Sequence, residues 1–247
     1  MRRHIATLGL FAFLAAAPMA SAIPLTFASW SVSDSPVNGN GQVLVWNNQG
    51  CGANCSTLTA SAQVDFDYKE SVIENEPLGF PFGTIAATMS LSAFSVVDAV
   101  VGPALPPFIP EATVYQGAIS GSMEFRRITD NALLLRVVFS NLVLNGQDNG
   151  DGASGSATTP PLTDITYSSD LLSFPGGSKR SFALSLTSVD PSFNVAPNGQ
   201  LASFLASGAG TFSSEPAPSG VPEPASVGLM GLGLLGAAGL GRRFSRT

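Results

Sequence analysis

Apolar and polar residues alternate with a period of two along most of this 247-residue chain. The clearest runs are Gln63–Tyr68 and Ser181–Thr187, and residues 133–140 form a third. Because successive side chains of a strand point to opposite faces, this period predicts half-buried β-strands. No sustained 3.6-residue stripe predicts a helix between residues 23 and 212.

Turn-forming residues separate the alternating runs. Asn145-Gly146 and Asn198-Gly199 favour tight reversals, and four prolines between residues 103 and 110 predict a loop. We expect an all-β fold, in which residues 23–212 form one antiparallel β-sandwich or jelly-roll-like domain. A short β-solenoid is the alternative, but no fixed repeat supports it. The runs predict eight or nine strands, near residues 24–32, 42–48, 57–68, 84–97, 112–128, 133–145, 162–168, 180–189 and 201–212.

Residues 1–22 have the layout of a secretory signal peptide. A positively charged start precedes an apolar run at residues 5–17, and the small residues Ala20 and Ala22 then form an A-x-A cleavage site. We expect the export translocon and a signal peptidase to act on this segment, which makes Ile23 the first mature residue. A retained membrane anchor is the alternative, but the apolar run is shorter than the roughly 20 residues that a span needs.

The last 27 residues have three parts, joined to the body by a Pro/Ser/Gly-rich linker at residues 213–220. A proline-flanked glutamate comes first, and an apolar stretch at residues 225–241 follows, which predicts a transmembrane helix. A basic end closes the chain and should stay cytoplasmic, which places residues 23–220 outside the inner membrane. The first part is Val221, Pro222, Glu223 and Pro224, and the basic end carries Arg242, Arg243 and Arg246.

This tripartite tail, with Pro222-Glu223-Pro224, a Gly-Leu-rich span and Arg242-Arg243, resembles the PEP-CTERM sorting signal of Gram-negative bacteria. The resemblance implies transient recognition by an exosortase, a membrane protease that removes the tail during export. It also implies a host that makes an exopolysaccharide, which is therefore an expected partner. A proline-rich juxtamembrane linker before an ordinary anchor is the alternative. The resemblance covers only the tail and names no activity for the body.

Composition excludes several classes of function. The single histidine is His4, so a mature protein that begins at Ile23 has no imidazole for triad catalysis or metal binding. Between residues 23 and 222 the sequence has six basic and 16 acidic residues. A body this acidic repels phosphate backbones, and we expect no nucleic-acid partner. No cofactor-binding motif is present, so we expect no cofactor.

Cys51 and Cys55 are the two cysteines of the chain. In an exported protein they most simply form a disulfide, which closes a five-residue loop. A redox or nucleophilic thiol is the alternative, but no histidine, lysine or arginine lies nearby in the sequence to lower a thiol pKa.

Asp148 and Asp151 lie in the sequence Gln147-Asp-Asn-Gly-Asp-Gly152, which is similar to the start of a calcium-binding loop. The first position is Gln147 instead of aspartate, which argues against a high-affinity site. A solvated hairpin turn is the preferred interpretation, and weak calcium binding through the two aspartates is the alternative.

Two hypotheses for the function remain. Asp65 and Asp67 point to the same face of one strand, so the alternative hypothesis is a glycan-acting enzyme that uses carboxylates. Trp30, Trp46 and Tyr68 either stack on sugars or fill the core. The preferred hypothesis is a non-catalytic protein, exported to the cell surface or the extracellular matrix, with a structural, adhesive or exopolysaccharide-associated role.

Overall fold

The computed structural model describes residues 25–33, 41–52, 55–69, 73, 81–103, 112–158, 165–174 and 179–215. All regular elements in these ranges are strands, and every pair of neighbouring strands is antiparallel. The all-β, antiparallel prediction is thereby confirmed. The strands are β1 (Leu25–Val32), β2 (Leu44–Gly52), β3 (Cys55–Tyr68), β4 (Gly83–Ser95), β5 (Val100–Gly102), β6 (Thr113–Arg127), β7 (Leu133–Gln147), β8 (Ala153–Thr158), β9 (Ile165–Ser168), β10 (Arg180–Asp190) and β11 (Phe204–Ser214).

The eleven described strands form one sheet that closes on itself. The ladder runs β6-β4-β3-β1-β11-β10-β8-β7, and β7 pairs again with β6. β1 and β2 share one position, because both pair with β3 and β11. β4 and β5 likewise share one side of β6, and β8 and β9 share one side of β7. The result is a ring of eight strand positions that leaves few free edges.

The strand order corrects the jelly-roll alternative. A jelly-roll needs Greek-key connections, which join strands that are not neighbours. In this ring, strand positions that follow each other along the chain are also hydrogen-bonded neighbours. Opposite sides of the sheet enclose a core, as in a sandwich, but continuous ladders join those sides. The first and last positions close the ring through pairing of β1 with β11. This contact between residues nearly 190 positions apart leaves no local signal in the sequence.

Alternation along each strand separates a buried from an exposed face. β3 buries every second residue from Ser56 to Tyr68, and β4 does the same from Ile85 to Ser95. Inward aromatic rings from strands that are not neighbours meet in the middle, such as Phe125 with Phe212 at 5.6 Å between ring centroids. These rings fill the interior and stabilise it by burying large apolar surfaces.

Two matched bulges change which alternate residues of β6 and β7 point into the core. In β6, Ala118 has a φ of 51°, and the pairing with β7 shifts between Gln116 and Ile119. In β7, Asn141 has a φ of 57°. It lies opposite the second register shift of this ladder, which falls between Ile119 and Gly121 of β6. The extra residue in each strand moves the side chains beyond it to the other face. The bulges compensate each other, so the ladder continues in register to Thr113 and Gln147.

Candidate functional site

Both ends of the described chain leave the ring at the same end. Leu25 of β1 lies opposite Ser214 of β11, and Arg180 also lies opposite Ser214. The backbone N–H of Glu215, the last described residue, donates to the Lys179 carbonyl oxygen at 2.7 Å. We call this the proximal end, and the opposite end, which carries the β2–β3 and β7–β8 turns, the distal end.

The predicted sorting segments lie outside the described residues. This holds for the signal-peptide residues Ala20, Ala22 and Ile23, for the motif at residues 221–224 and for the basic tail at 242–246. Within the described ranges, no helix has the length and apolar character needed to cross a membrane. The predicted body boundary at residue 212 falls inside β11, which continues to Ser214.

Cys51 and Cys55 are joined by a disulfide at the tip of the β2–β3 hairpin, at the distal end. Their Cα atoms are 5.1 Å apart, which is an ordinary span for such a bond. Neither cysteine is free, so the structure supports the disulfide over a reactive thiol.

A second loop packs against this hairpin and holds it in place. The Trp46 indole N–H donates to the Leu201 carbonyl oxygen at 3.1 Å, and the Ser56 hydroxyl donates to Gln200 Oε1 at 2.7 Å. The side chains of Asn48 and Asn198 exchange two hydrogen bonds. These buried and reciprocal bonds fix the loop at residues 194–203 to the distal end.

Asp148 and Asp151 occupy a tight turn between β7 and β8. Backbone hydrogen bonds tie the turn to the segment after β10: Asn149 N–H donates to Phe193 O, and Phe193 N–H donates to Gly150 O, both at 2.8 Å. The carbonyl oxygen of Asp151 is also occupied, by the N–H of Val189. Among the described residues, no group of three or more His, Cys, Asp or Glu side chains is placed to hold a metal ion. The geometry is that of a hairpin turn, and weak calcium binding stays a prediction.

The aspartates of β3 lie on the outer face of the ring. Asp65 and Asp67 are half-buried, and their neighbours across the ladders are serine, alanine and threonine residues. Asp67 forms an ion pair with Lys69. The tryptophans and Tyr68 are buried in the core, so they offer no face to a sugar.

Burial changes the ionisation of two tyrosines in the core. It raises the pKa of Tyr68 to about 12, and Tyr68 donates a hydrogen bond to the Leu134 carbonyl oxygen. Burial also raises the pKa of Tyr167, against the opposing effect of the nearby Arg180. The Arg180 guanidinium lies 5.7 Å from the centre of the Tyr167 ring. Both groups stabilise the interior and neither is accessible to a substrate.

A groove at the distal end was not predicted from the sequence, although it includes Asp151 of the predicted calcium-binding alternative. It has a volume of about 460 Å³ and lies on the outer face across the ends of β6, β7 and β8. Its polar lining consists of Thr113, Asn145, Gln147, Asp151 and Ser154, over a floor of glycine backbone. We call this the distal groove.

Tyr115 is 41% exposed on the outer face of β6, one strand away from the lining of the distal groove, and its ring packs against Gly102 of β5. Its backbone partner in β7 is Asn145, whose own partner in β8 is Ser154. Strict alternation from Phe125 or Phe139 would place Tyr115 and Asn145 inside the ring, and the two bulges place them outside. The sequence signal that could have revealed this is weak: a glycine at 117 and an asparagine at 141 inside otherwise regular strands.

The charged side chains are unevenly distributed along the ring. All six described cations lie in the half near the proximal end. Among the described residues the distal end carries carboxylates and no cation, so anionic ligands are disfavoured there. The cations are Lys69, Arg126, Arg127, Arg136, Lys179 and Arg180, and the distal carboxylates are Asp98, Asp148, Asp151 and Asp190.

Comparison with known proteins identifies the tail and not the body. The PEP-CTERM protein-sorting motif matches residues 220–243. No curated protein and no solved structure matches the chain. The match coincides with the proline-flanked glutamate, the apolar stretch and the first two tail arginines predicted from the sequence. The chain therefore carries a PEP-CTERM protein-sorting motif, which implies an exported protein that is anchored in a membrane during transit and processed by an exosortase.

Proposed function

We propose that this chain is a non-catalytic protein of the cell surface or extracellular matrix, with a structural or adhesive role in association with exopolysaccharide. The observation that carries the proposal is the sorting motif at residues 220–243. The signal peptide delivers the chain to the translocon, the apolar stretch at 225–241 holds it in the inner membrane, and exosortase cleavage then releases the body.

The placement of the chain ends supports this order of events. β1 and β11 are paired at the proximal end, so the N-terminal and C-terminal extensions both leave from there. A tether that starts at residue 216 keeps the proximal end toward the membrane and presents the distal end outward. The described residues of the body fold around their own aromatic core. We expect cleavage of the tail to leave this core intact.

The chemistry of the body supports a role in binding over catalysis. The interior is filled with aromatic side chains, and Asp65 and Asp67 lie on the outer face with no carboxylate opposite them across the ladders. Glycoside hydrolysis needs two carboxyl groups that face each other across the bond to be broken, roughly 5–10 Å apart. The hydroxyl and amide side chains on the outer face suit hydrogen bonding with sugars instead.

The test is removal of the chain from the native host, followed by measurement of cell attachment and of polysaccharide retained in the matrix. We expect both to fall, and to be restored by the wild-type chain. The matched control is Asp65→Asn/Asp67→Asn, which removes the candidate enzymatic carboxylates and should restore both as well as the wild type does.

Two results would contradict the proposal. The first is an unchanged matrix and unchanged attachment in the deletion strain. The second is a release of new reducing ends from the host polysaccharide by the purified wild-type protein that the Asp65→Asn/Asp67→Asn variant does not show. The second result would favour the glycan-acting enzyme.

A further inference from the structure

The buried residue Phe193 supports the floor of the distal groove. Phe193 is fully buried, and a side chain at Gly146 would lie 2.8 Å from its ring, so the aromatic ring packs directly on the glycine. The backbone of Phe193 also binds both Asn149 and Gly150 in the turn. A site that is fixed before binding pays little conformational entropy when a ligand arrives.

The polar groups of the groove are available to a ligand. The Ser154 hydroxyl donates to Asn145 Oδ1, which orients the Asn145 amide and leaves its N–H donors unused. Within the described part of the chain, the side chains of Gln147 and Asp151 have no hydrogen-bond or ion-pair partner. The groove therefore offers amide donors and a carboxylate acceptor together, and hydroxyl groups of sugars pair with both.

A partly exposed aromatic ring lies one strand away from these polar groups: the Tyr115 ring packs against Gly102 of β5 at the outer face. Tyr115, Asn145 and Ser154 occupy one row across β6, β7 and β8, and two strand spacings make this row roughly 10 Å long. A half-exposed tyrosine ring presents an apolar face and a polar edge, which suits the apolar face and hydroxyl rim of a pyranose. The row is long enough for about two linked sugar units.

Charge restricts the class of glycan. The groove contains Asp151 and adjoins Asp148, and no described cation lies at the distal end. Uronate, sulfate or phosphate groups on a polysaccharide would be repelled. Uncharged sugars are not repelled by these carboxylates.

We propose that the distal groove binds neutral polysaccharide, with Tyr115 stacked on one sugar ring and Asn145, Gln147 and Asp151 hydrogen-bonded to the hydroxyl groups of the next. This inference rests on the proposed association with exopolysaccharide and assigns it to a specific site. The two bulges turn Tyr115 and Asn145 outward together. The groove faces away from the tethered end, so it is open both before and after the tail is removed.

The test uses the full chain in detergent micelles and saturation-transfer NMR, which detects weak binding from the ligand signals. The probes are cellohexaose and maltohexaose as neutral glycans, and an alginate hexamer as an acidic one. We expect saturation transfer to at least one neutral probe and none to alginate. Tyr115→Ala and Asn145→Ala should each weaken binding about tenfold or more, as truncation of a central contact does.

Phe94→Ala is the matched control, because Phe94 is 48% exposed on the outer face but lies outside the groove. It should bind like the wild type, and the thermal unfolding of all three variants should match that of the wild type. Equal binding by wild type, Tyr115→Ala and Asn145→Ala would overturn the site while leaving the proposed function intact. Preference for alginate, or an equal loss in Phe94→Ala, would also overturn the site. Failure of the proposed function is measured separately, as an unchanged matrix in the deletion strain.

Discussion

At the scale of single residues, glycines on the inner face of β11 make room for a tryptophan. Trp30 lies opposite Gly210 in the ladder, and its buried ring lies over Gly208 and Gly210. A Cβ atom at Gly210 would lie 2.9 Å from the Ala183 carbonyl oxygen and closer still to Trp30 Nε1. Because β11 has no side chains at these two positions, the interior has room for the large ring of Trp30.

Gly210→Ala should therefore lower the free energy of unfolding by about 1–3 kcal/mol, as overpacking of a core does. Urea denaturation measures the change. Gly117→Ala is the matched control, because nothing lies within 4 Å of a Cβ at that position in β6. It should be neutral or slightly stabilising. Equal destabilisation by both variants would show that the space at Gly210 is not the cause.

The buried Tyr68 makes stability depend on pH in the alkaline range. Burial raises its pKa to about 12 in the folded state, whereas an unfolded tyrosine titrates near 10. Its contribution is fully present below about pH 10 and is lost as the pH rises through about 12. We expect the urea midpoint to be level up to about pH 10 and to fall above it.

Tyr68→Phe isolates this effect from the titration of other groups. The variant loses the hydrogen bond to the Leu134 carbonyl oxygen, which lowers its stability by about 1 kcal/mol at neutral pH. Its stability should then fall less steeply than that of the wild type above pH 10. Parallel slopes for the two proteins would refute the assignment to Tyr68.

At the scale of elements, the strands with regular alternation are the ones that the sequence predicts well. β3, β4 and β10 agree closely with their predicted ranges, because each has one apolar face. β8 was missed because Ala153–Thr158 contains only small residues and has no large apolar side chain to mark an inner face. The bulges in β6 and β7 were missed too, because period-two alternation assumes one unbroken register. The distal groove depends on those bulges and so was not predicted.

The β2–β3 hairpin provides a prediction about an element. Cys51→Ser/Cys55→Ser should lower the free energy of unfolding by about 2 kcal/mol, because the disulfide restricts a five-residue loop in the unfolded chain. Reducing agent should lower the urea midpoint of the wild type to that of the variant and leave the variant unchanged. A wild-type midpoint equal to that of the variant under oxidising conditions would argue against any stabilising role.

At the scale of the whole molecule, ring closure and sorting are linked. Pairing of β1 with β11 completes the fold and also brings both chain extensions to the proximal end. The sequence predicted the tail correctly because its three parts are contiguous and each has a distinct composition. The sequence did not predict the pairing of β1 with β11, because no local pattern indicates that the first and last strands of the chain are neighbours. The same limit explains why the sorting tail was easier to predict than the proposed binding site.

We infer that the tail directs processing and release, and fractionation of the native host with an antibody against the body tests this. We expect the wild type to be released in a shortened form, and Pro222→Ala/Glu223→Ala to remain in the membrane at full length. Pro216→Ala/Pro218→Ala, which changes two prolines upstream of the matched motif, should behave like the wild type. Normal shortening and release of the Pro222→Ala/Glu223→Ala variant would contradict the claim.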